Sequence, residues 1–292
     1  MTYASSLSGT ARLFSGQAQL SRRALGFAAL CILVAGASGC GKLKARDLLN
    51  KGVQAFKNGQ YDSAIEDFKM ATESDPNLLM ARVYLATAYA SEYIPGAPSD
   101  ANTQIGDEAV KEFKEVLDRD PNNITAIDGL GSMLYNMSGT PFSPQKFDDS
   151  KSYHKKHIEL KPNDPEPYYW IGVIDWVLAN RTNLELRAAY NKDHINKQIR
   201  ESDPMPPAVR ADYVAKSQAL VDEGIESVKK AIVIRSDYDD AMAYLNLLYR
   251  RKADMVESAD ERTALQKQAD DLLDKIKEIK QHRAEQPQPA AQ

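Results

Sequence analysis

The strongest constraint on the fold is a helical pattern that repeats along the chain and ends each time at a proline. Residues 45–78 contain two helical segments joined by a short turn, and the second segment ends at Pro76. Pro121 follows Pro76 by 45 residues, and Pro162 follows Pro121 by 41, each after a similar segment. No stretch alternates apolar and polar residues as a half-buried β-strand does. The sequence therefore predicts an all-α fold built from repeated helix pairs.

The first unit, residues 45–78, resembles the tetratricopeptide repeat, a helix-turn-helix of roughly 34 residues. The matching positions are a small residue in the first helix, the turn, the inward stripe of the second helix and its end: Gly52, Gly59, Tyr61, Ala64, Phe68, Ala71 and Pro76. Leu48 and Lys51 depart from the pattern, which usually has Trp and Leu there. The resemblance implies an α-solenoid of about five helix-turn-helix units, with insertions between paired helices and a C-terminal capping helix.

These units predict a repeat domain over residues 45–283, followed by a disordered tail over 284–292. The largest insertion, about 177–218, separates the two helices of the fourth unit. All insertions fall between paired helices, so we expect them to form an edge that binds partners. The alternative is that the largest insertion folds back as padding. A capping box over residues 258–261 predicts the start of the capping helix.

The stretch GASGCGKL, residues 36–43, imitates the glycine-rich phosphate loop of nucleotide-binding proteins. That motif needs Ser or Thr after Gly-Lys to ligate magnesium, and this chain has Leu43 there. Nucleotide binding is therefore not predicted, and the sequence indicates no other cofactor.

A secretory signal accounts for the same region. Arg22 and Arg23 precede an apolar stretch that is too short to span a bilayer and ends in small residues. This order predicts a cleaved signal peptide over residues 1–39. The sequence therefore predicts export.

Residues 37–40, Ala-Ser-Gly-Cys, resemble the lipobox of bacterial lipoproteins. The resemblance implies cleavage before Cys40, lipidation of its thiol and a lipid-anchored tether over residues 40–44. Gly41 in place of Asp after the cysteine implies the outer membrane, with the protein facing the periplasm. An ordinary signal peptide followed by an incidental cysteine is the alternative.

The charge distribution argues against nucleic acid as a partner. Three of the 37 basic residues and none of the 41 acidic residues lie in residues 1–39. The remainder of the chain is therefore acidic and lacks the basic surface that binds nucleic acid.

His154 and His157 are the main candidates for metal chemistry, because they lie three residues apart on one helix. A zinc site needs three or four ligands, and the sequence supplies no further ligand at a suitable spacing. The alignment places both histidines at inward positions of a second helix, so packing is the favoured interpretation. No nucleophile motif is present, and we predict that the protein is not an enzyme.

The resemblance also implies a concave groove lined by side chains of the first helix of each unit. The alignment places seven residues there: Tyr84, Asp128, Tyr135, Tyr169, Trp170, Trp176 and Tyr244. The carboxylate clamp of the family is not reproduced, since Leu49 and Val53 occupy two of its positions. The remaining aromatic surface suits apolar or proline-rich peptides. The alternative is that several of these rings pack between units.

Together these features predict an exported, lipid-anchored scaffold that binds proteins or peptides at the bacterial envelope, through the groove or the edge loops. The alternatives are a metal-binding or enzymatic envelope protein that uses His154 and His157, and a structural lipoprotein that associates with itself.

Overall fold

The computed structural model describes residues 40–285, which contain ten α-helices and no β-strand. The helices are α1 (residues 40–57), α2 (Tyr61–Ser74), α3 (Leu79–Glu92), α4 (Asp100–Arg119), α5 (Ile124–Asn136), α6 (Pro144–Leu160), α7 (Pro165–Asp193), α8 (Pro207–Ile234), α9 (Asp239–Ala253) and α10 (Ala259–Glu285). The predicted all-α class is confirmed. Two compact units divide the chain, one ending at Ser91 and the other beginning at Glu92.

In the compact unit that ends at Ser91, the side chain of Phe68 on α2 packs against α1 at Gly52. A Cβ atom at Gly52 would lie 2.5 Å from the Phe68 ring, so any larger residue would push the two helices apart. Phe68 is fully buried and stacks on Tyr84 of α3, with ring centroids 5.5 Å apart. Gly59 has a φ of 73°, which the turn between α1 and α2 requires. The sequence assigned these two glycines to the same roles.

The predicted tether over residues 40–44 is helical and continues into α1. Lys42, Leu43 and Lys44 are strong helix formers, and the glycines that flank Cys40 obscured this preference. The predicted signal peptide, residues 1–39, lies outside the described residues. The predicted tail began too early, because α10 extends to Glu285; the rest of the tail lies outside the described residues.

The same turn ends the second helix of four successive pairs. In each, the backbone N–H of the residue after the helix donates to the carbonyl four residues earlier: Asp75 to Ala71, Asp120 to Val116, Lys161 to His157 and Arg235 to Ala231. The next residue is proline in three cases and Ser236 in the fourth. This recurring geometry supports the alignment on proline, with Ser236 in place of proline.

In the second unit, α7 and α8 cross closely at Gly172. A Cβ atom there would lie 2.0 Å from Cγ2 of Val228 and 3.3 Å from a backbone carbonyl of α8. Val228 is fully buried. The glycine therefore sets the distance between the two helices of this pair.

The insertion expected over about 177–218 is mostly an extension of this pair of helices. The first helix continues to Asp193 and the second begins at Pro207, so only residues 194–206 connect them. Buried residues continue at four-residue spacing along both extensions, namely Ala179, Asn183 and Arg187 on α7, and Tyr213, Ser217 and Val221 on α8. This spacing keeps one face of each helix inward along both extensions.

The last helix, α10, begins where the capping box predicted. The N–H of Glu261 donates to Oγ of Ser258 at 3.3 Å. Ala269 is fully buried, whereas Leu273 is 39% exposed. The outer face is charged, as a capping helix requires.

Candidate functional site

Five of the seven predicted groove residues form one continuous row of aromatic rings. Tyr135 lies on α5, Tyr169, Trp170 and Trp176 lie on α7, and Tyr244 lies on α9. Ring centroids are 5.2 Å apart for Tyr135 and Trp170, 5.4 Å for Trp170 and Tyr169, 5.6 Å for Tyr169 and Tyr244, and 5.6 Å for Tyr244 and Trp176. We call these five residues the aromatic row.

The aromatic row lies at the boundary between core and solvent. Tyr169, Trp176 and Tyr244 pack against the buried core formed by α7, α8 and α9. All five rings keep part of their surface exposed. Edge-to-face contacts between α5, α7 and α9 hold them in place, each contributing about 0.5–1.5 kcal/mol beyond burial. The rings thus both pack between neighbouring helix pairs and line a surface.

The aromatic row is uncharged at physiological pH. The pKa of a free phenol is about 10, and burial raises the pKa of Tyr135, Tyr169 and Tyr244 further. These side chains therefore stay neutral at physiological pH, and the surface they form suits an uncharged partner.

Asp128 and Tyr84, the other two predicted groove residues, have partners of their own. Oδ1 of Asp128 lies 2.6 Å from Nδ1 of His157, so this carboxylate has a partner within the protein. Burial raises the pKa of Asp128, and the hydrogen bond with His157 opposes that rise. Tyr84 belongs to the other compact unit, where it stacks on Phe68.

The two histidines are packing residues. His154 and His157 are each 3% exposed. The ring of His154 stacks on Trp170, with centroids 6.0 Å apart, and burial together with His157 lowers the pKa of His154 to about 4. Nε2 of His157 lies 3.4 Å from Asp164. Across residues 40–285, no three His, Cys, Asp or Glu side chains are placed to hold a metal ion.

Comparison with solved structures identifies proteins of similar architecture. MamA, residues 41 to the end, from Desulfovibrio magneticus RS-1 superposes with a TM-score of 0.54 at 16% identity, over 84% of this chain and 98% of that chain. A double mutant of MamA RS-1 gives 0.54 at 16% identity, over 82% and 96%. Both are tetratricopeptide-repeat solenoids. The chain therefore has the tetratricopeptide-repeat fold. No family model matches it.

In sequence, the chain also resembles a curated protein over part of its length. It is 28% identical to RNA polymerase II-associated protein 3 of Homo sapiens over 141 residues. The match covers 48% of this chain but only 18% of that protein.

The tetratricopeptide-repeat core also contains features that the sequence did not predict. Ring contacts continue beyond the aromatic row. The ring centroid of Phe147 lies 5.8 Å from that of Tyr135 and 5.7 Å from that of Phe142. Arg181 stacks over Phe142 at 3.7 Å. The aromatic residue in the loop between α5 and α6 was the available signal, but its contacts depend on how α7 packs.

A buried ion pair is a second such feature of the tetratricopeptide-repeat core. Lys151 of α6 donates to Asp175 of α7 and, at 3.0 Å, to Glu223 of α8. Asp175 is fully buried, and burial raises its pKa to about 7 although Lys151 opposes the rise. In the sequence, this ion pair was indicated only by two charged residues, Lys151 and Asp175, at inward positions of their helices.

Cys40, the predicted lipidation site, lies on α1 of the tetratricopeptide-repeat fold. Its thiol is exposed and unpaired in the part of the chain that the structure describes. Between residues 40 and 285, no helix combines the length and the apolar character needed to cross a bilayer.

Proposed function

We propose that this protein is an exported scaffold that is anchored to a bacterial membrane through lipid on Cys40 and binds partner proteins through the aromatic row. The aromatic row is the observation that carries the proposal. Its rings are held by one another and by the core beneath them, so binding costs little side-chain entropy.

The chemistry of the row indicates the kind of segment it binds. Neutral, flat rings offer apolar contact area without a charge to be desolvated. Proline-rich segments in the polyproline II conformation dock on such surfaces because they are already extended and rigid. We therefore propose an apolar or proline-rich segment of another envelope protein as the occupant.

Tryptophan fluorescence tests this part of the proposal. The chain contains two tryptophans, and both belong to the aromatic row, so their emission reports on this surface. Titration with a proline-rich decapeptide should shift the emission and saturate. Tyr244→Leu should weaken binding by about tenfold, because it removes a ring but keeps apolar volume.

The control replaces an aromatic residue outside the row. Tyr190 stacks on His194 near the end of α7, and Tyr190→Leu should bind as the unchanged protein does. A crosslinked pull-down from membranes, analysed by mass spectrometry, extends the test to natural partners. Partner recovery that is insensitive to Tyr244→Leu, combined with no fluorescence response, would refute the assignment to the row.

The anchor is proposed from the sequence around Cys40 and from the exposure of its thiol. Two or three acyl chains on the processed cysteine would give stable attachment. Growth with a clickable fatty acid should label the protein, and Cys40→Ala should abolish the label and release the protein from the membrane fraction. Gly41→Asp should leave the label intact and change the membrane in which the protein is found. Labelling that survives Cys40→Ala would contradict lipidation at this site.

We further propose that the protein is not an enzyme. His154 and His157 are both buried, and their rings face Trp170 and Asp128. Elemental analysis of the purified protein tests this part, since one bound zinc ion per chain would contradict it.

A further inference from the structure

A pocket of about 320 Å³ lies away from the aromatic row, among the connection 194–206, the end of α9 and the start of α10. The residues of its wall that matter here are Glu201, Ser202, Arg251, Asp254, Arg262 and Gln266. Arg250, also in the wall, is paired with Asp270 at 2.7 Å. A pocket of this size accommodates a side chain or a small molecule.

Three arginines converge on two carboxylates at this pocket. Asp254 lies 3.1 Å from Nη2 of Arg187, which forms the layer behind the wall, and 3.3 Å from Nη2 of Arg262. Glu201 lies 3.1 Å from Nη2 of Arg251. One positive charge is therefore left uncompensated. Burial raises the pKa of Asp254 against the effect of the arginines, and protonation of Asp254 would increase the uncompensated charge.

The uncompensated charge coincides with an unused hydrogen-bond donor. Arg251 is 7% exposed, and its Nη1 is buried without a hydrogen bond. Its partner in the salt bridge, Oδ2 of Asp254, is 3.7 Å away, beyond hydrogen-bond distance. A buried donor without an acceptor costs about 1–3 kcal/mol, so native structures rarely leave one unused. The wall of the pocket thus lacks one acceptor.

We propose that this pocket binds a carboxylate group. A guanidinium fork matches the two oxygens of a carboxylate, and Nη1 of Arg251 would gain its missing acceptor. A single negative charge neutralises the wall, whereas a doubly charged phosphate would leave an excess negative charge beside Glu201 and Asp254. The carboxylate belongs either to a partner peptide or to a small free acid. The assignment is independent of the aromatic row.

Arginine side-chain NMR on the ¹⁵N-labelled protein tests the proposal, with sodium acetate as the probe. Acetate should shift the Nε–Hε signals of Arg251 and Arg262 along a saturating curve, and sodium chloride at equal ionic strength should not. Arg262→Gln should weaken acetate binding by about tenfold. Arg235→Gln is the control, because Arg235 pairs with Glu166 outside the pocket, and it should leave acetate binding unchanged.

A second variant keeps the test informative if Arg262→Gln does not fold. Gln266→Leu removes a polar side chain of the wall without altering the arginines, and it should weaken binding several-fold. An equal response to acetate and chloride, or tighter binding of inorganic phosphate than of acetate, would overturn the proposal.

N-acetyl-dialanine and its C-terminal amide identify the source of the carboxylate. Tighter binding of the free acid than of acetate, with no binding of the amide, assigns the pocket to peptides. Binding of the free acid no tighter than acetate assigns it to small acids. Equal binding of the free acid and its amide would show that the carboxylate is not recognised, and would overturn the proposal.

Discussion

One buried imidazole, His154, should make a contribution to stability that depends on pH. His154 is 3% exposed, its Nε2 has no hydrogen-bond partner, and burial lowers its pKa to about 4. In the unfolded chain its pKa returns to about 6.5, so the unfolded state binds the proton more tightly between these values. The contribution of His154 to stability is therefore lost as pH falls. The loss through His154 is about 2 kcal/mol between pH 7 and pH 5.

The total pH profile does not isolate this contribution, because Asp175 acts in the opposite direction. Burial raises the pKa of Asp175 to about 7, so its protonation in acid favours the folded state. The informative quantity is the difference between the unchanged protein and a variant at each pH. His154→Phe removes the titrating group and keeps a ring against Trp170.

Urea unfolding followed by tryptophan fluorescence at pH 7, 6 and 5 measures this difference. His154→Phe should gain about 2 kcal/mol relative to the unchanged protein between pH 7 and pH 5, and any packing cost of the larger ring should be the same at each pH. His194→Phe is the control, because His194 is exposed. A constant difference between His154→Phe and the unchanged protein at all three values would refute the reasoning.

Three further changes test the packing. Gly172→Ala should cost about 1–3 kcal/mol because its Cβ would meet Val228; adding Val228→Ala should recover part of this in thermal unfolding, and no recovery would argue against that clash. Lys151→Met should cost about 3–5 kcal/mol in urea unfolding because it leaves Asp175 buried without a cation. Adding Asp175→Leu should recover most of the loss, and failure to do so would count against the ion-pair explanation. Ser99→Ala removes the cap of α4 and should cost about 1 kcal/mol in the same assay; an unchanged midpoint would contradict the capping role.

The sequence predicts the helix pairs because their determinants are local. The inward stripe of α2 and the turn at Pro76 can each be recognised within a few residues, and the alignment then places the helix faces. That register was enough to bring Tyr135, Trp170 and Tyr244 to one surface. It did not predict the pairing of Asp128 with His157, because two residues 29 positions apart meet only once the helices have packed.

The continuation of α7 into the insertion could not be recognised for a related reason. Along α7, the inward stripe changes from apolar residues to Asn183 and Arg187, so the hydrophobic pattern stops while the helix continues. Burial of these two residues is possible because Asp254 lies beside both of them. Since Asp254 is 67 positions beyond Arg187, the sequence pattern of α7 alone gives no sign of this compensation.

The polar cluster around Asp254 also has a consequence for cooperativity. Asp254 contacts Asn183 and Arg187 of α7, and Arg262 of α10, while Arg262 reaches Ser202 in the connection. Separation of α10 would leave the Asp254 carboxylate with fewer partners and would release the connection with it. These segments should therefore open as one folding unit, with amide hydrogens that exchange at a common free energy. Ligand binding at this end of the chain would slow exchange in all of them together.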